Sequence, residues 1–202
     1  MTQYGFYVDL NACIGCKACQ MACKDRSNNE PGANWRRVVE YGGGDWRQSG
    51  KAWIPDIFTY FVPTACHHCD NPPCLPVCPT AAIDKDENGI VTINVDECIG
   101  CHLCEWACPW GAPVFYEALA VVDKCDFCKD IVDAGGNPAC IDACPMRAMD
   151  WGDIEELKVR YPDAQFPVAP LAGPEDFGPN AIYTPHTQAE GREGEILNTE
   201  EI

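Results

Sequence analysis

The stretch CIGCHLCEWACP, residues 98–109, holds four thiols and closes on a proline, and the chain repeats the device. Its 16 cysteines fall into four groups with none left over. They are Cys13, Cys16, Cys19 and Cys23; Cys66, Cys69, Cys74 and Cys78; Cys98, Cys101, Cys104 and Cys108; and Cys125, Cys128, Cys140 and Cys144. The first and third groups read C-x2-C-x2-C-x3-C, and the second and fourth widen the middle gap to four and eleven residues. Groups two, three and four end alike, in CPTAA, CPWGA and CPMRA, so the pattern is an internal repeat. Group one ends CKD instead.

Thiols so arranged suit iron–sulfur cubes, [4Fe-4S], each of which takes four thiolates at the corners of a tetrahedron. Cysteines at i, i+3 and i+6 wrap one cube in a tight loop that cannot easily bend back to the fourth corner. The next cysteine, four residues on, is expected to start a helix pointing elsewhere and to serve a neighbouring cluster, as in two-cluster ferredoxins. A proline there closes the loop and sets the helix start. A zinc ribbon would leave the third and fourth cysteines of each group unexplained. A disulfide framework does not call for four C-x2-C iterations, and the N-terminus MTQYGFYVDL lacks a secretory signal.

With 202 residues, 17 Gly, 17 Pro and 22% charged side chains, the chain is turn-rich with a modest core, so clusters have structural work to do. The net charge of −17 excludes a nucleic-acid partner. Residues 150–202 carry twelve acids against three bases, which reads as a solvated surface. No apolar run reaches the ~18 residues of a membrane span. The expectation is a chain folded and loaded with clusters in the cytoplasm, staying there or reaching a membrane, or export, through partners. No Ser-His-Asp set, phosphate loop or dinucleotide fingerprint is present and no cysteine is spare, so the chain reads as a non-catalytic electron carrier. His67 and His68 read as packing or hydrogen-bonding residues near sulfur, and Trp106 and Trp110 as packing around clusters.

The expected fold is α+β, with two nested ferredoxin-like modules, each binding two clusters. Tyr4, Phe6, Val8 and Leu10 alternate as in a half-buried strand. Residues 24–56 read as a loop-rich insertion, 57–62 as a strand, and the segment between groups two and three as a hairpin turning at Asn88-Gly89. Residues 150–162 open as a capped helix, followed by an extended tail. The tail is expected to dock along a partner through Phe166, Val168, Leu171, Phe177, Ile182 and Tyr183. An inner module at 57–115 would then sit within an outer one made of 1–23 and 116–150, with 151–202 as helix and docking tail. Nesting gives four ligand sets: Cys13, Cys16, Cys19 with Cys144; Cys23 with Cys125, Cys128, Cys140; Cys66, Cys69, Cys74 with Cys108; and Cys78 with Cys98, Cys101, Cys104. Pairing the groups in sequence order is the alternative, although groups two and three already have ferredoxin spacing.

The order of the groups, QYGFYVD before the first, WRR and GGDW in the insertion, DKCDFC at the fourth, and VAPL then PN in the tail resemble the iron–sulfur subunit of DMSO reductase and related molybdopterin oxidoreductases. The resemblance implies four [4Fe-4S] clusters, a large molybdenum or tungsten pterin subunit as catalytic partner, and often a quinol-oxidising membrane anchor. It supports the nested sets and implies their order, from the set with Cys144 nearest the catalytic subunit, through those with Cys23 and Cys108, to that with Cys78 at the receiving end. In the nitrate reductase branch a tryptophan replaces the second cysteine of group three; here it is Cys101, which implies four irons. The alternatives are the small subunit of a soluble molybdopterin transhydroxylase or dehydroxylase, and a free-standing polyferredoxin.

Overall fold

The computed structural model describes residues 2–171 and 173–201, an α+β arrangement of short helices and small two- and three-stranded sheets. Strand β1 (Tyr4–Asp9) is the centre of one sheet. It runs antiparallel to a late strand, Met149–Asp153, and parallel to a tail strand, Ala181–Thr184, with Phe6 opposite both Trp151 and Ala181. The expected half-buried face is corrected: Gly5, Phe6, Tyr7 and Val8 are all buried. Phe6 and Val8 enter the main core, while Tyr7 packs with Ile154, Leu157 and Ile182 under the helix Ile154–Arg160. That helix is capped by Asp153, whose Oδ1 accepts from the N–H groups of Glu155 at 2.9 Å and Glu156 at 3.3 Å. Period-two alternation signals one covered face and cannot report a helix placed on the other.

Gly5 marks how tightly these pieces meet. A Cβ there would stand 2.5 Å from the Asn180 carbonyl oxygen and 2.7 Å from Ile154 Cδ1. Gly5→Val is therefore expected to lower stability by about 1–3 kcal/mol or more. The denaturation midpoint measures it, and a wild-type midpoint would mean that the strands separate here at no cost.

The segment between groups one and two is not loop-rich as expected. It carries β2 (Arg37–Gly43), β3 (Trp46–Ser49) and β4 (Ala52–Pro55). β2 pairs antiparallel with β5 (Phe58–Thr64), Val39 opposite Val62, and buries Val38, Val39 and Tyr41. β3 and β4 form an exposed hairpin beyond it. The Asn, Gly and Trp around β2 masked a run of β-branched and aromatic residues whose partner lies some way downstream.

Two more hairpins follow: β6 (Ile83–Lys85) with β7 (Val91–Ile93), and β8 (Val114–Tyr116) with β9 (Val121–Asp123). The first turns at Asn88-Gly89 as expected, with Asp86 Oδ1 accepting from the N–H groups of Asn88 and Ile90. The late strand Met149–Asp153 is β10; the tail contributes β11 (Ala181–Thr184) and β12 (Glu195–Ile196). β12 pairs with β2, Ile196 opposite Tyr41.

The tail is thus laid along its own chain, which corrects the expectation of a free docking strap. Val168, Leu171, Ile182 and Tyr183 are buried in the described fold, and Phe166 and Phe177 are half-buried. Parallel pairing of β11 with β1, its register set by the first strand, joins the two ends of the sequence.

Candidate metal centres

All four cysteine loops use one backbone device. The residue before the second cysteine is left-handed each time: Gly15 (φ 68°), His68 (44°), Gly100 (63°) and Phe127 (62°). The glycines also permit close approach, since a Cβ would stand 2.4 Å from Phe61 Cδ1 at Gly15 and 2.3 Å from the Ala120 oxygen at Gly100. Phe127 offsets the same strained conformation with packing: it is 1% exposed and stacks on Phe6 at 4.3 Å. A second device follows the C-P pairs, where Ala81, Gly111 and Arg147 are left-handed. This folds the chain back so that the next N–H meets the preceding sulfur. Ala112 N lies 3.4 Å from Cys108 Sγ and Ala148 N lies 3.4 Å from Cys144 Sγ. Sequence reading registered the C-P-x-x-A repeat but not this role for its alanine.

Helices carry the later cysteines. α1 (Ala18–Arg26) holds Cys19 and Cys23, α2 (Leu103–Ala107) holds Cys104, α3 (Lys129–Asp133) follows Cys128, and α4 (Ala139–Asp142) holds Cys140; the helix Ile154–Arg160 is α5. The fourth cysteine does not start a helix, contrary to expectation. Cys23 lies within α1, and Cys108 caps the end of α2. The displacement has a simple cause: four helical residues advance about 6 Å along the axis, carrying the fourth thiol past the loop that holds the first three.

The structure lines three cavities with four thiols each. One cavity is lined by Cys13, Cys16, Cys19 and Cys144. Another is lined by Cys66, Cys69, Cys74 and Cys108. A third is lined by Cys78, Cys98, Cys101 and Cys104. Of the remaining four, Cys23 on α1 and Cys140 on α4 lie on helices that pack together, and Cys23 is within electrostatic reach of Cys140, Cys128 and Cys125. Thiols of different groups also lie within electrostatic reach of one another: Cys140 of Cys19, Cys66 of Cys125, and Cys104 of Cys74.

The donor sets fit iron–sulfur clusters better than the alternatives. All sixteen cysteines are free, so no disulfide occupies them. Tetrahedral zinc with Zn–S of about 2.3 Å needs sulfurs about 3.8 Å apart. Among the described residues no three Cys, His, Asp or Glu side chains converge closely enough to hold one ion. A cube spreads its ligands further. Burial pushes the thiols of Cys19 and Cys23 up to about 11 and about 12, despite the pull of Arg36. Iron held by these thiols would have to displace their protons.

His67 and His68 are buried beside these sites. Burial, with the charges of Arg36 and Arg37, pushes His67 down to about 3, so its ring is neutral. His67 lines the cavity with Cys66 and packs against Trp110 at 4.6 Å. Trp110 is buried as expected, whereas Trp106 is 78% exposed on α2 and packs no cluster site. Sequence reading missed Arg36 and Lys124, the two cations buried among these thiols.

No helix among the described residues is long and apolar enough to cross a membrane. The family described as "4Fe-4S dicluster domain" matches residues 57–154, and that described as "4Fe-4S binding domain" matches residues 4–25. The chain is 42% identical to the B subunit of anaerobic dimethyl sulfoxide reductase from Escherichia coli K12, over 93% of this chain and 91% of that protein. It is 40% identical to YnfG of the same organism, a probable anaerobic dimethyl sulfoxide reductase subunit, over 100% and 99%. It is 32% identical to the arsenate respiratory reductase iron–sulfur subunit ArrB of Shewanella sp. ANA-3, over 75% and 82%. Ferredoxin-like [4Fe-4S] domains at both ends of the cysteine series, and such identity over nearly whole chains, make this protein a member of the DMSO reductase iron–sulfur subunit family, the electron-transfer rather than catalytic subunits of their complexes.

Proposed function

We propose that this chain holds four [4Fe-4S] clusters in a line and serves a molybdopterin catalytic subunit, with a quinol-oxidising membrane anchor as electron donor. The observation that carries the reading is the three cavities lined by four thiols each, with Cys23 and Cys140 on the packed helices α1 and α4, and thiols of neighbouring sets within electrostatic reach: Cys19 with Cys140, Cys125 with Cys66, and Cys74 with Cys104. When bound, each cluster takes up and releases one electron at a time. The ligand sets proposed are Cys13, Cys16, Cys19, Cys144; Cys23, Cys125, Cys128, Cys140; Cys66, Cys69, Cys74, Cys108; and Cys78, Cys98, Cys101, Cys104. Nested modules account for them: the pairing of β1 with β10 and the packing of α1 on α4 support an outer module around the inner one. The chain's residues shield the clusters with apolar walls, direct N–H groups at sulfur, and keep neighbouring sites in contact.

Both ends of the line offer apolar side chains to solvent, as subunit surfaces should. Ile14 and Met146 are 55% and 45% exposed at the cavity with Cys144. Ile99 is 63% exposed at the cavity with Cys78, beside exposed Leu103 and Trp106. The first end is assigned to the catalytic subunit and the second to the anchor. The chain is loaded in the cytoplasm, where thiols stay reduced. Anaerobic purification is expected to give about sixteen irons per chain, no three-iron EPR signal, and a large subunit containing molybdenum or tungsten. Isolation as a stable, lone protein, or iron far below that figure, would overturn the reading.

A further inference from the structure

Arg36 and Lys124 are the buried lysine and arginine side chains among the described residues, 3% and 1% exposed. Among those residues neither has a carboxylate within ion-pair distance. Arg36 lies with its guanidinium carbon 4.8 Å from the Phe6 ring centre, and Nη1 is 3.7 Å from Met149 Sδ. Its Nη2 has no hydrogen-bond partner among the described residues. Lys124 Nζ donates to the carbonyl oxygens of Val91 and Cys125, and the side chain lines one cavity with Cys66. A buried cation without a counter-charge is costly, and neutral thiols do not supply one. Iron cubes held by thiolates do, because they are anions in both of their ordinary redox levels.

The placement is specific. Lys124 lines the cavity with Cys66, Cys69, Cys74 and Cys108, and its Nζ donates to the carbonyl of Cys125, a thiol of the neighbouring set. Arg36 reaches Met149, which lines the cavity with Cys13, Cys16, Cys19 and Cys144, and it lies within electrostatic reach of Cys140, Cys125 and Cys23 of the next set. We propose that Arg36 and Lys124 are counter-ions wedged between successive clusters, Arg36 at the first junction and Lys124 at the second, each raising the reduction potentials of the two clusters beside it. A fixed positive charge favours the level with the extra electron, and its effect falls with distance. At the third junction, between Cys74 and Cys104, no buried lysine or arginine stands among the described residues. The cluster with Cys78 is therefore an internal control. The inference rests on the four-cluster reading.

The test is an EPR-monitored redox titration of the purified complex, with signals assigned through cysteine variants. Arg36→Met is expected to weaken one-electron reduction of the first and second clusters tenfold or more, about 59 mV. Lys124→Met is expected to do the same to the second and third. The cluster with Cys78 keeps its potential in both, and Arg36→Lys and Lys124→Arg stay at wild-type values. Unchanged potentials in fully iron-loaded methionine variants, a uniform shift of all clusters, or an equal drop in the charge-conserving variants would overturn the proposal. If the methionine variants fail to hold iron, retention in Arg36→Lys and Lys124→Arg supports a counter-ion and loss in them refutes it. Fewer than four distinct clusters in the wild-type complex would instead sink the cluster reading, which separates the two failures.

Discussion

Replacing Cys144 with alanine is expected to cost the chain iron held near its N-terminus, not iron held by the nearest cysteines in sequence. Cys144 lines a cavity with Cys13, Cys16 and Cys19, while Cys140, one helical turn earlier, lies in reach of Cys23. A cluster left with three protein ligands loses iron or the whole cube, so the loss should be about one to four of about sixteen irons. Alkylation read by mass spectrometry locates it. Cys13, Cys16 and Cys19 should become reactive, while Cys125, Cys128 and Cys140 stay protected. The reverse pattern would mean that the groups do not exchange their fourth cysteines, and the nested arrangement would be wrong.

The second large effect concerns the tail. Tyr183 is 1% exposed, opposes Val8 across the β1–β11 pair, and exchanges backbone hydrogen bonds of 2.8 and 2.9 Å with Gln165. Tyr183→Ala should remove about 3–5 kcal/mol, a large share of the ~5–15 kcal/mol that ordinarily holds a domain folded. Deleting residues 165–202 should prevent cluster loading, because β1 loses its parallel partner and the core its Val168, Leu171 and Tyr183. Cluster loss on heating, followed by visible charge-transfer absorbance, measures both. Wild-type kinetics in the truncated chain would show that the tail is peripheral to the fold.

Segments differed sharply in how far their structure could be read from sequence. A capped helix was legible in residues 150–162, since a cap acts within one turn, but residues 150–153 belong to β10 and only Ile154–Arg160 are helical, because that opening segment pairs with β1. The β6–β7 turn was visible through Asn88-Gly89 for the same reason of locality. β2 was not, because its strand character depends on β5 and β12 on either side. Nor was the fate of the tail: the apolar residues that suggested a docking strap are the ones the chain covers with itself. Trp106 shows the limit from the other side, since nothing in WACPW distinguishes the exposed tryptophan from the buried Trp110 four residues on.

Sequence alone determined that the cysteines come in four groups of one repeated design, that the chemistry is iron–sulfur, and that the chain belongs with electron-transfer subunits. Thiol spacing is local, and a loop of three cysteines imposes its own geometry whatever surrounds it. Only the tertiary structure shows that α4 lies against α1, and that Ala112 and Ala148 turn their N–H groups onto sulfur. It also decided that Arg36 and Lys124 are buried and not at the surface. Those outcomes depend on long-range pairing and on burial of charge. Neither leaves a periodic trace in the chain, since each is fixed by what the other segments leave exposed once they have packed.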